Sequence, residues 1–164
     1  MLERALINHA APTLARLKLG SMFNVSRNEG DFDGELARLN DLFAPKGVVL
    51  TVLREREGRA LMYLYRANEL ERALSSADIQ SFLSGCGYGN FDVEAVLQLL
   101  RKRIGESEEF PHEIGVFLGY PLSDVVDFIA NAGQNSICSG CWKVYSNECA
   151  ALRTFAQFRK CKEV

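Results

Sequence analysis

Two runs of strand-forming residues, Val48 to Leu53 and Ala60 to Tyr65, flank the charged segment Arg54-Glu55-Arg56-Glu57-Gly58-Arg59. β-Branched and aromatic side chains suit a pleated surface, and a glycine in a short polar connection supplies the positive φ of a tight turn. The pattern predicts an antiparallel β-hairpin over 48–65. Val48-Val49-Leu50 lacks polar alternation, so that end of the hairpin must be covered on both faces. The rest of the chain therefore has to supply two layers of cover.

The flanking sequence reads mostly as helix. Leu2, Ala5, Leu6 and His9 have helical spacing, and Pro12 bounds a short first helix. Asp31 or Asp33 caps a helix presenting Leu36, Leu39 and Phe43, closed by Pro45 and Gly47. Asn68 to Leu74 is a short helix, and Ser75 or Ser76 starts another that ends at Gly85-Cys86-Gly87. Asp92 caps an amphipathic helix with Val93, Val96, Leu97, Leu100 and Ile104 on one stripe, ending at Gly105. Its last-turn cations Arg101-Lys102-Arg103 complement the helix dipole and water. Pro111 suits the first position of a helix from His112 to Leu118, and Ser123 begins another with Val125, Val126 and Ile129 inward. Ser146 caps a final helix carrying Leu152, Phe155 and Ala156. Two further strands are expected, one within 17–25 and one at 142–145.

Strands and helices are largely segregated along the chain. The expectation is a single α+β domain over 1–164, a small mostly antiparallel sheet covered by several helices. The expected core is Leu50, Val52, Leu61, Tyr63, Val96, Leu100, Phe117, Val125, Ile129 and Phe155.

Nineteen basic and 21 acidic residues give a net charge of −2, which supplies no electrostatic reason for nucleic-acid binding. No window approaches the roughly 18 consecutive apolar residues of a membrane span, and the first residues do not resemble an export signal. A cytoplasmic location is expected. The five cysteines, an odd number, fit a reducing compartment better than a disulfide framework.

Three constellations offer chemistry. Cys138-Ser139-Gly140-Cys141 is a CxxC, a spacing that chelates a metal or forms a reversible disulfide. With Cys161 it makes a candidate metal or thiol site, although no second CxxC or HxxxH completes a zinc set. Pro111-His112-Glu113 places an imidazole and a carboxylate together, but HExxH is absent and a zincin is excluded. His112 is the candidate base, with Glu113 beside it. Cys86, between two glycines, is a candidate nucleophile for a Cys–His pair with His112. Lys18, Arg66 and Tyr120 are candidates for orienting a small anionic ligand. Each of these residues also has a purely structural reading, as cap, core anchor or turn. No Walker loop, dinucleotide fingerprint or nucleophile elbow is present, so no cofactor is named.

Ala11-Pro12-Thr13-Leu14-Ala15, followed by Lys18, Ser21 and Phe23, resembles the opening signature of the bacterial family catalogued as domain of unknown function 3793. The block from Phe110 to Pro121, then Asp124, Val125 and Phe128-Ile129, is similar to that family's central block. Gly140-Cys141-Trp142-Lys143-Val144-Tyr145 resembles its C-terminal block, and Cys161 also fits. The resemblance spans nearly the whole chain. It implies a stand-alone cytosolic protein of anaerobic Gram-positive bacteria and carries no catalytic residue assignment. Cys141 and Cys161 fall on family positions, Cys138 does so less clearly, and Cys149 has no counterpart.

Three functional readings result. One is a thiol- or metal-linked role for Cys138, Cys141 and Cys161, the most specific of the three. The second is an enzyme acting on a small molecule with His112 as base. The third is a non-catalytic interaction module.

Overall fold

The computed structural model describes residues 1–163. In chain order the first elements are α1 (Leu2–Leu14), β1 (Gly20–Ser26), α2 (Phe32–Phe43), β2 (Val48–Arg56), β3 (Arg59–Arg66) and α3 (Ala67–Leu74). Then come α4 (Ala77–Gly85), α5 (Val93–Glu106), α6 (Ile114–Phe117), α7 (Leu122–Ala130), β4 (Cys138–Ser139), β5 (Lys143–Val144) and α8 (Glu148–Glu163). The fold is α+β.

The predicted hairpin forms, and its strands run further than the apolar residues alone indicate. β2 and β3 pair antiparallel up to Arg56 opposite Arg59, which leaves a two-residue turn at Glu57-Gly58. Both turn residues have positive φ, 53° and 75°, the mirror-image turn that matches strand twist and favours glycine at its second position. A bulge at Leu53 shifts the register between Val52 and Arg54, and Leu53 joins the core of one sheet face.

β1 pairs antiparallel with the other edge of β3, giving the order β1-β3-β2. Every residue of β3 from Ala60 to Tyr65 is consequently buried. Its side chains alternate between two cores. Leu61, Tyr63 and Tyr65 join Leu100, Ile104 and Phe117 on one face, while Ala60, Met62 and Leu64 join Leu2, Leu6 and Leu39 on the other. The two-sided cover required by Val48-Val49-Leu50 is thus supplied by α1 and α2 on one side and mainly by α3 to α6 on the other. The outer edge of β2 is closed by a side chain: Asn40 Nδ2 donates to the Leu50 carbonyl at 2.8 Å, and Asn40 Oδ1 accepts from the Leu50 amide at 2.9 Å.

Several local expectations are corrected. α1 continues past Pro12 to Leu14, because a proline in the last turn loses the bond its missing N–H would have made to the Asn8 carbonyl while its own carbonyl still accepts from the Leu17 amide. α5 runs one residue beyond Gly105. All three of its cations have specific partners rather than water alone, Lys102 lying 4.0 Å from Glu106 on the same helix. Arg101 reaches the Val52 carbonyl and Thr51 Oγ1 on β2, and Arg103 pairs with Glu113. Pro111-His112-Glu113 is a turn, and α6 begins only at Ile114. On α7, Val125 is buried, but Val126 and Ile129 are 42% and 40% exposed. On α8 the buried face is Ala151, Phe155 and Phe158, and Leu152 points outward. Val52 is only partly buried.

Among the described residues no helix is long and apolar enough to cross a membrane.

Candidate functional site

The C-terminal third builds a cleft beside the sheet. β4 and β5 pair antiparallel, Cys138 opposite Val144 and Ser139 opposite Lys143, so the CxxC spans a tight hairpin. That hairpin has a small core of its own in Val144, Ala151 and Phe155. Asp124, on α7 and only 3% exposed, fastens it to the rest of the protein. Its carboxylate accepts from Trp142 Nε1 at 2.8 Å, from the Tyr145 amide at 2.9 Å and from the Ser146 amide at 3.3 Å. Three donors converging on one carboxylate satisfy a buried charge that would otherwise be costly. The Trp142 ring then lies between Tyr120, 5.2 Å away, and Phe155, 4.6 Å away and edge-on. Trp142 is therefore a fixed wall.

The opposite wall comes from the turn before α6 and from α7. These two helices approach closely at Gly115, where an added Cβ would sit 2.7 Å from Val125 Cγ2. Between the walls lies a cavity of about 430 Å³. Phe110, Phe128 and Trp142 give it an aromatic lining, with His112, Tyr120, Asp124, Ser139, Cys141 and Lys143 as polar groups. His112 is exposed at the rim, its ring 6.1 Å from that of Phe128. The Lys143 ammonium crosses over Phe128 and donates to the Gly133 carbonyl at 2.5 Å, which holds it in place.

The structure separates residues that the sequence placed together. Glu113 turns away from its neighbour His112 into the protein, where it is 1% exposed. There it is gripped by both nitrogens of the Arg103 fork and accepts from the Tyr88 hydroxyl at 3.2 Å. It is an internal ion-pair residue and does not line the cavity. Cys86 lies in that same charged neighbourhood and not at the cavity. Burial, then the Glu113 charge, push the Cys86 thiol up, against a smaller opposing effect of Arg103, so it resists forming a nucleophilic thiolate.

Arg66 is committed elsewhere. Its Nε donates to the Thr13 carbonyl at 2.8 Å and its Nη2 to the Leu14 carbonyl at 2.7 Å, closing the C-terminus of α1. Lys18 and Tyr120 do meet, with Lys18 Nζ 5.4 Å from the centre of the Tyr120 ring. Burial, followed by the nearby Cys141, raises the Tyr120 phenol to about 12.

Cys138 packs partly into the hairpin core and its thiol is pushed up, chiefly by desolvation. Cys141 is exposed at the cavity, Cys161 is half-buried on α8, and all five cysteines are free. Among the described residues no group of three or more His, Cys, Asp or Glu side chains gathers to hold a metal ion.

Asp124 has no local signature as a site builder, nor do Arg103 and Tyr88 as the partners that draw Glu113 away from the site. Asp124 reads as an ordinary first-turn acid, and its partners lie 18 to 22 residues away. The only advance signal is that Asp124 and Trp142 both fall in the blocks that carry the family resemblance.

Fold and site define an α+β domain with an aromatic-walled cleft beside its sheet. The chain belongs to the family described as protein of unknown function (DUF3793), whose model matches residues 6–164. No curated protein and no solved structure shows significant similarity to it.

Proposed function

We propose that this domain binds a small, planar, mostly apolar molecule in the cavity between the turn before α6, α7 and the β4–β5 hairpin, with His112 as the group that exchanges protons with it. The observation that carries the reading is the cavity itself: about 430 Å³, aromatic on facing walls and mostly apolar in its exposed lining. A concave apolar site with a small number of placed polar groups is the usual form of a small-molecule pocket. The rigidity of its walls supports the same reading, because Asp124 pins Trp142 and the Gly133 carbonyl pins Lys143. Exposed His112 at the rim meets solvent on one side and the cavity on the other, the position a general base needs.

A thiol-linked role is the second reading, and Cys141, exposed on the same cavity, favours it. Cys138 and Cys161 do not line the cavity with it.

The test is ligand-observed NMR with a set of planar heteroaromatic fragments on the wild-type protein and on Ser139→Trp, which fills the cavity from its exposed rim. Fragments are expected to bind the wild type and to lose at least tenfold in affinity for the variant. Equal binding by both proteins, or no fragment bound by the wild type, overturns the reading.

A further inference from the structure

Tyr120 and Trp142 also border a second cleft, of about 360 Å³, between the segment leading into β1, α3 and α8. One cation faces it without a counter-charge. Lys18 is part-buried, and among the described residues its ammonium makes no ion pair and no side-chain hydrogen bond; its contact is the Tyr120 ring. Glu69, the carboxylate bordering the same cleft, is taken by Arg72 at 3.3 Å. Among side chains, Cys141 favours the Lys18 charge, and Lys162 at the end of α8 opposes it more weakly. A partly desolvated charge is normally paired, and the face of a tyrosine compensates it only in part.

The other walls favour an anion attached to an apolar group. Leu17, Leu19, Leu118 and Phe158 give the cleft an apolar floor, and Thr154 is a hydroxyl on its α8 side. An inorganic anion would leave that surface wet. An organic acid covers it while its head group meets Lys18.

We infer that the second cleft binds an amphiphilic organic carboxylate, its carboxylate on Lys18 and its hydrocarbon part against Leu19, Leu118 and Phe158. Burial pushes the Lys18 pKa down, and a carboxylate on its ammonium would raise it again. This inference does not depend on what occupies the first cavity.

Trp142 is the single tryptophan of the chain and borders the cleft, so its fluorescence reports occupancy. The experiment titrates acetate, hexanoate, octanoate and inorganic phosphate into the wild type, Lys18→Met and Lys18→Arg at pH 7, with thermal unfolding to confirm that each variant is folded. Affinity is expected to rise about fourfold per methylene, the effect of burying one CH₂, so octanoate binds about 15-fold more tightly than hexanoate. Lys18→Met is expected to weaken octanoate at least tenfold, and Lys18→Arg less than threefold. Because Trp142 borders both cavities, the Lys18→Met comparison is what assigns the signal to this cleft. Octanoate binding unchanged in folded Lys18→Met, phosphate binding as tight as octanoate, or no saturable response in the wild type overturns the inference.

Discussion

The carboxylate of Asp124 accepts the indole N–H of Trp142 at 2.8 Å, and this bond joins α7 to the β4–β5 hairpin across 18 residues of sequence. The same carboxylate holds the Tyr145 and Ser146 amides. Asp124→Ala strands all three donors at once. A loss of about 2–4 kcal/mol is expected in chemical denaturation, with a red shift of Trp142 emission as the indole gains water. A loss below about 0.5 kcal/mol would show that the hairpin is held by its small apolar core alone.

The Arg103–Glu113 pair makes a prediction of opposite character. Glu113 is 1% exposed, so removing Arg103 leaves a buried carboxylate with only the Tyr88 hydroxyl. Arg103→Met is expected to cost about 3 kcal/mol or more. The double variant Arg103→Met/Glu113→Gln should recover much of that loss, since the uncompensated charge is gone. A double-mutant cycle by urea denaturation measures both, and strict additivity would contradict the pairing.

On the face of the sheet covered by α5, Leu100 is fully buried against β3 and α6 residues. Leu100→Ala is expected to cost about 2–5 kcal/mol, the lost transfer energy plus a cavity. An unchanged denaturation midpoint would place the α5 stripe in solvent.

Lys18 gives a pH-dependent stability with a definite sign. Its folded pKa lies below the value of about 10.4 for an unfolded lysine. Between those two values the unfolded chain holds the proton more tightly, so this residue's contribution to stability rises with pH and its cost is complete below the folded value. Lys18→Met keeps the apolar stem and removes the charge. The variant should be more stable than the wild type at pH 7, with the difference shrinking as the pH approaches 10. A constant difference across that range would remove Lys18 titration from the account.

What the sequence discloses and what it hides follow from the range of each interaction. The 48–65 hairpin is legible because its signal is local: two apolar runs and a glycine turn within a few residues. The caps Asp31 and Gly47 are legible for the same reason. Two-sided cover is read from Val48-Val49-Leu50 on β2, whereas the strand buried throughout on both faces is β3, whose second neighbour β1 pairs across some 40 residues and leaves no local mark. Ile129 shows the failure of a helical stripe on a short helix. Nine residues make only two and a half turns, and packing at Gly115 selects Val125 rather than the whole stripe. His112 and Glu113 are adjacent in sequence and part in space, because a turn lets consecutive side chains diverge. Lys18 and Tyr120, a hundred residues apart, meet at the boundary of the two clefts.

The most direct test of the ligand-binding account is two-dimensional NMR of the isotopically labelled protein titrated with the tightest fragment found. The largest shift changes are expected at His112, Gly115, Phe128, Ser139, Cys141 and Trp142, all bordering the first cavity. Changes centred on α1 and α2, on the far side of the sheet, or spread evenly over the surface without saturation, would contradict that account.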